Sequence, residues 1–305
     1  MADFTDLSEA NGWIPEPVAT DPIYREAQVS AVEAVARKEN MTSRTLSVPR
    51  FVANGVSFVA ERGTIPLGEG TPDEVVLTAQ KFADRYAVSY EDRADGIADV
   101  LNAHKREWVS NFHIALDNAC LGTVGAANST TRPFTSVYQA VGAGNRTSLA
   151  GALQYEDLVE AIGEMEVSRK GGLVVIAHPA FRMALRNLKD AAGDRVVATD
   201  GVLGAGVPSV FGHEVRFSFG AVTNTTFSDS TAAVGGGGAA GAVGNPLLVV
   251  AAKNELILGV RSGPESALSE HEQWTTDEIE LKMRARRGFV LASADSARVI
   301  EQTNA

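Results

Sequence analysis

Two β-rich runs, LSVPRFVANGVSFVA (46–60) and VVLTAQKFADRYAVS (75–89), face each other across a Gly- and Pro-bearing tip, ERGTIPLGEGTPDE (61–74), and limit the fold more than any other feature. The pattern reads as a long β-hairpin. Fifteen residues at ~3.3 Å each make an arm of roughly 50 Å, while a compact chain of this length has a radius of gyration near ~19 Å and is itself only about 50 Å across. The hairpin would be as long as the body. A two-stranded ribbon of that size is marginal alone, and neither strand alternates cleanly, so both faces need support, most simply from another copy of the chain. The alternative is that the two runs sit inside one ordinary sheet.

The 305 residues suit about two domains, and the net charge of −11 works against tight binding to a polyphosphate, which depends on Lys and Arg releasing counterions. A gene regulator is therefore disfavoured. Cys120 is the only cysteine, which leaves no internal disulfide, and the opening MADFTDLSEANGW has no charged-then-apolar leader pattern, so assembly in a reducing cytoplasm is expected. Apolar runs such as 247–252 fall well short of the ~20 residues of a membrane span.

Residues 1–20, with Trp13, Ile14, Pro15 and Pro17 among acids, read as an extended arm that cannot fold by itself. Asp21-Pro22 looks like a helix start, with a short helix over 23–38 through Val29, Val32 and Val35. The clearest helix spans 97–121, where Ile97, Val100, Leu101, Trp108, Phe112, Leu116 and Cys120 recur every three or four positions and Gly122 closes it. An amphipathic helix over 155–167, a buried strand at 173–177 and a helix over 179–190 follow. Beyond them come strands at 214–219, at 247–252 with 255–260 as a hairpin pair, and a late strand from Ile279 to Ala294. Between these, residues 223–246 hold Gly235 to Gly238 in a row and read as a flexible surface excursion outside the core.

The chemistry of a catalytic site needs convergent groups, and His104, His113, His178, His213 and His271 are dispersed without metal-ligand spacing. His178, between a buried strand and a helix start, is the strongest candidate for an active-site residue. The simpler reading is that His178-Pro179 caps the next helix. Gly201, Gly204 and Gly206 lack phosphate-loop spacing and read as a turn, and KMRARR (282–287) alternates with period two, making it the wet face of a strand. Cys120 lies on an apolar helix side and reads as a small core residue.

The order of parts is more informative than any motif. An arm and a long hairpin lead to a return at Val88, Ser89, Glu91 and Asp92; the long helix ends on Leu116, Asp117, Ala119, Leu121 and Gly122. A strand is then followed by His178-Pro179, Leu185, Leu188, Lys189, Asp190 and Gly193, and the chain closes on Arg287, Val290 and Ala294. This order, over about residues 40–300, resembles the major capsid proteins of tailed double-stranded DNA phages, the Hong Kong 97-type fold. It departs at Ser293, where a proline is often found, and in its long Gly-rich 223–246 loop.

The resemblance implies an α+β capsid fold divided into an N-terminal arm (1–45), an extended hairpin or E-loop (46–89), a peripheral domain (90–189 and 271–305) with spine helix 97–121, and an axial domain (190–270). It implies a structural protein and no enzyme, without metal or cofactor, that self-assembles into pentamers and hexamers of an icosahedral head. The head would be built in the host cytoplasm and would enclose DNA without binding it specifically. Contacts between subunits are expected at Trp13, Ile14, Phe51, Phe58, Glu61, Arg62, Glu69, Asp73 and Glu74. Only about 45 residues precede the hairpin, which implies a separate scaffold protein or none, with a portal and a decoration protein as further partners. An encapsulin-like nanocompartment on the same fold is the nearest alternative, and a cytoplasmic α/β enzyme centred on His178 a more distant one.

Overall fold

The computed structural model describes residues 27–51, 56–65, 67, 72–91, 100–128, 130–168, 171–188, 209–228, 238–269 and 276–303. A five-residue helix α1 (Ala31–Val35), capped by Ser30, leads straight into strand β1 (Arg37–Asn40), then β2 (Thr45–Phe51), β3 (Pro72–Thr78) and β4 (Gln80–Ser89). The spine helix α2 (Val100–Leu121) follows, with a short α3 (Val137–Ala140), β5 (Arg146–Leu149), α4 (Tyr155–Val167), β6 (Leu173–Ala177) and α5 (Phe181–Asn187). The rest is β: β7 (Ser209–Val210), β8 (His213–Phe217), β9 (Leu247–Ala252), β10 (Leu256–Ser269), β11 (Glu278–Leu291) and β12 (Ala297–Gln302).

Three sheets result: a four-stranded one in the order β1-β10-β11-β4, a six-stranded one in the order β5-β12-β9-β6-β8-β7, and the two-stranded β2-β3. The six-stranded sheet is covered on both sides. Val174, Ile176, Val249 and Val299 face α2 and the four-stranded sheet, while Val175, Val250 and Ile300 face α4 and α5 through Leu158, Ile162, Met165 and Phe181. Double coverage is why LVVIA and LLVVAA are uninterrupted apolar runs. The four-stranded sheet is covered along one side by the spine helix, where Phe82, Val88, Leu281 and Met283 meet Phe112, Leu101 and Trp108, and at one end of its other side by the root of the β2-β3 hairpin.

Several expectations change. The single long hairpin becomes a shorter one: β2 pairs with β3 from Thr45↔Thr78 to Phe51↔Pro72, and after Ala79 the second run leaves it to pair with β11 from Gln80↔Arg287 to Ser89↔Glu278. Burial decides this, because a free ribbon would leave Phe82 and Val88 in water, whereas β4 puts both against α2. Likewise 247–252 and 256–260 do not pair with each other, since a short 3-10 turn at Lys253–Glu255 sends β9 and β10 into different sheets. The helix expected over 23–38 is only Ala31–Val35 in the described part, because residues 37–40 join β10 as a parallel edge. The helix expected from 179 starts at Phe181, and β11 stops at Leu291 so that β12 can enter the other sheet.

The 223–246 segment is not wholly a surface excursion. Its ends lie inside the molecule, where Thr223 and Asn245 are buried and bonded to each other, and Gly241 N and Asn245 Nδ2 donate to the fully buried Glu301 carboxylate at 2.7 and 2.6 Å. Tyr138 Oη donates to the same carboxylate at 2.9 Å, and burial with that bond pushes the phenol up to about 12. The six-stranded sheet draws strands from both sides of residue 190 and from 297–302, so that boundary runs through a sheet. The Gly201, Gly204 and Gly206 turn lies outside the described residues.

Candidate assembly surface

The β2-β3 hairpin touches the rest of the chain at its root. There Leu77 is fully buried with Met41 and Ile257, and Leu46, Val48, Val290 and Ala292 close around them. The root sits low on the sheet because Gly259 and Gly288 are cross-strand partners: a Cβ on Gly259 would come within 2.4 Å of Met41 Sδ, and one on Gly288 within 3.2 Å of the Thr78 carbonyl. Arg50 reinforces the attachment, its Nη1 donating to the Ala292 carbonyl at 2.5 Å while its Nη2 pairs with Asp73 across the hairpin. That guanidinium, with the Glu74 amide, holds the Asp73 carboxyl below its usual range.

Among the described residues beyond the root, four large apolar side chains are bare. Phe58 is 99% exposed and Leu67 91%, with Val56 and Ile65 also in water. Four such side chains on one projection form the kind of surface that marks a protein contact. Of the residues singled out from sequence, Phe58, Glu61 and Arg62 lie on this exposed part, with Arg62 in a left-handed turn at φ 67°. Phe51 is in β2, and Asp73 and Glu74 are lower down, engaged within their own hairpin by Arg50 and by Ser47 Oγ at 2.5 Å. Trp13, Ile14 and Glu69 lie outside the described residues. The apolar residues Val56, Ile65 and Leu67 were missed, although each stands in a tip without enough chain to bury it.

A second feature absent from the sequence reading is the polar junction that holds α1. The buried Asp117 carboxylate of the spine helix accepts from Ser30 Oγ (2.5 Å), Ala31 N (2.8 Å), Val32 N (3.2 Å) and Ser218 Oγ (2.6 Å). Burial still wins over these four donors and pushes the carboxyl up to about 6. One turn further, Glu33 pairs with Arg287 at 3.0 Å and faces His113 at 3.6 Å, and desolvation pulls that imidazole down. The available signal was the pair Asp117-Asn118 inside an otherwise apolar helix end. Asn118 Nδ2 donates to the Gly220 and Val222 carbonyls at 3.1 and 2.9 Å, so both polar residues tie the spine to the chain after β8.

His178 caps a turn: its Nδ1 accepts from Ala180 N at 3.1 Å, its ring stands edge-on to Phe219, and burial pulls it down to about 4. His104 stacks on Tyr86, and His213 meets Glu166 at 3.0 Å. Cys120 is fully buried in the core, and burial pushes its thiol up. Among the described residues no three His, Cys, Asp or Glu side chains gather as metal ligands, and no helix is long and apolar enough to cross a membrane.

Known proteins match this arrangement. The family model "Phage capsid protein" matches residues 72–300. A solved structure from Microbacterium phage Oxtober96 is 20% identical, covers 99% of this chain and 100% of its own, and superposes with a TM-score of 0.75. One from Mycobacterium phage Bobi is also 20% identical, with full coverage of both chains and a TM-score of 0.73. The capsid of an empty GTA particle is 10% identical at a TM-score of 0.65, covering 99% of this chain and 100% of its own. No curated protein sequence matches the chain. The family match covers most of the chain and the likeness in fold nearly all of it, so the chain belongs to the phage capsid protein family and is a structural major capsid protein with the Hong Kong 97-type fold.

Proposed function

We propose that copies of this chain form the pentamers and hexamers of an icosahedral head around double-stranded DNA, with the β2-β3 hairpin of each subunit lying on its neighbour. One observation carries this reading: the hairpin holds Val56, Phe58, Ile65 and Leu67 in water on a ribbon that, among the described residues, is packed against its own subunit at its root. Burying them between subunits recovers about 1.5–3 kcal/mol for each side chain fully covered, and closure multiplies that gain around every symmetry axis. The net charge of −11 supports a shell that encloses DNA without gripping it. Assembly takes place in the host cytoplasm, with a scaffold supplied as a separate protein, a portal and a decoration protein as partners. We further infer that α2 with the four-stranded sheet forms the peripheral domain and the six-stranded sheet with α4 and α5 the axial domain. Sheet membership supports this division better than a cut at residue 190.

The test is the size of the purified full chain. Sedimentation and negative-stain microscopy should find closed shells of megadalton mass or ring-shaped capsomers of five and six copies. A monodisperse small oligomer at every salt and protein concentration would sink the proposal.

A further inference from the structure

The two helices on the outer side of the six-stranded sheet carry opposite charge. α4 holds Glu156, Asp157, Glu160, Glu164 and Glu166 with no base, and α5 holds Arg182 and Arg186 with no acid. Three of the five acids are used within the subunit: Asp157 accepts from the Gln154 amide at 2.8 Å, Glu164 pairs with Arg298 at 2.5 Å and Glu166 meets His213 at 3.0 Å. Glu156 and Glu160, exposed and one turn apart, have no such partner among the described residues. Arg182 and Arg186 are likewise exposed, one turn apart and without an ion pair there, Arg182 lying over the Phe217 ring at 4.7 Å. An apolar side chain stands beside each pair: Val159 on α4 is 42% exposed and Met183 on α5 is 73% exposed.

The acidic stripe of α4 also contains Gly163, one turn beyond Val159 and Glu160. A glycine in mid-helix weakens the helix, and nothing in the subunit calls for one here: its backbone is not left-handed, and a Cβ would meet nothing within 4 Å. A second backbone approaching closely would call for it. α4 lies over β9 and β12, while α5, with Arg182 on the β8 residue Phe217, lies over the other half of the sheet, and among the described residues no ion pair joins the two helices. Setting α4 against α4 would oppose acid to acid, so the complement of α4 is α5 of another copy. A contact between unlike faces repeats head to tail, and a suitable rotation closes it into a ring. We propose that α4 of one subunit packs on α5 of the next around each capsomer, Glu156 and Glu160 pairing with Arg182 and Arg186 while Met183 covers Val159. The proposal rests on the capsid reading and adds which faces of neighbouring six-stranded sheets meet.

The test is a charge swap and a crosslink in the full chain. Glu156→Arg with Glu160→Arg leaves the ion pairs of Glu164 and Glu166 in place and should cut the yield of capsomers and particles by about tenfold or more, with an unchanged circular dichroism spectrum. Arg182→Glu with Arg186→Glu should do the same, and combining the two sets should restore the yield to within about threefold. Gly163→Leu should leave the denaturation midpoint of the subunit unchanged or higher, since its side chain enters open space on a helix, yet lower the yield as the charge variants do. Val159→Cys with Met183→Cys should give, on mild oxidation, a ladder of linked chains up to five and six copies, and neither cysteine alone should link, because unlike faces meet. Absence of particles from the unaltered chain would count against the capsid reading, while the crosslink in concentrated full chain would still decide this one. Normal yield from either charge pair or from Gly163→Leu, failure of the combined swap to restore it, linkage through a single cysteine, or no ladder from the two together would each overturn the proposal.

Discussion

Two antiparallel ribbons cross this molecule, and they differ in what lies behind them. β10-β11 is 14 residues on each strand, with β4 on one edge, β1 on part of the other and the spine helix across one face. β2-β3 is seven residues on each strand, with no third strand among the described residues and burial at one end. The first buries Ile279, Leu281 and Met283; the second ends in Phe58 and Leu67, bare in water. The lesson is that a ribbon becomes part of the body when a third strand and a helix take its apolar face, and becomes a contact surface when nothing in its own subunit does.

The contrast can be broken most strongly in the body. Arg287→Ala strands Glu33 without its cation next to His113; since Arg287 has a side chain only 4% exposed, the loss should be about 3–5 kcal/mol. A shift in denaturant midpoint smaller than about 1 kcal/mol would mean the junction is solvated. At the hairpin root, Leu77→Ala should cost about 2–5 kcal/mol if that contact folds with the body. Equal stability of variant and parent, measured the same way, would show the hairpin to be detached from its own subunit.

These two regions also separate what the sequence makes legible from what it does not. Periodicity places the helix over 155–167 and the strands at 173–177 and 247–252 with the ends they have in the structure, because continuous burial on one face or both leaves a local signature. Strand partners leave none. Nothing local in VVLTAQKFADRYAVS says that its first part pairs with 45–51 and its remainder with 278–287, a partner about two hundred residues away. The Gly-rich 223–246 segment misled for the same reason, its later end being held by Glu301 from the far end of the chain and its start bonded to that end through Thr223 and Asn245. At the surface, Glu61 and Arg62 were readable as tip residues and Phe58 as an intersubunit contact in the first strand run, while Asp73 and Glu74, read as tip residues too, meet partners in their own hairpin that only the register supplies.

A smaller effect sharpens the contrast through pH. Asp117 carries a carboxyl raised from 3.8 to about 6, so the folded subunit holds this proton more tightly than the unfolded chain. Its contribution is fully present below about pH 4 and is lost as pH rises through about 6, at a slope approaching 1.4 kcal/mol per unit. Thermal melts of parent and Asp117→Asn should therefore diverge between pH 4 and 6 in favour of the variant and run parallel above 7. Parallel curves throughout would place the carboxyl in contact with water. The smallest change in subunit stability is expected at the hairpin tip, where Phe58→Ser should stay within about 0.5 kcal/mol while lowering the yield of particles. A loss of several kcal/mol there would show that Phe58 packs within its own subunit.

The central claim is that the exposed hairpin joins subunits and is dispensable to the fold of each one. Joining Phe51 to Pro72 by a two-residue turn removes residues 52–71 and keeps every β2-β3 pair. Analytical ultracentrifugation of that deletion beside the full chain, with circular dichroism as the control for folding, tests the claim most directly. The account predicts a folded subunit that sediments as a monomer or an open capsomer while the full chain forms closed shells. Closed shells of normal mass from the deletion would contradict it.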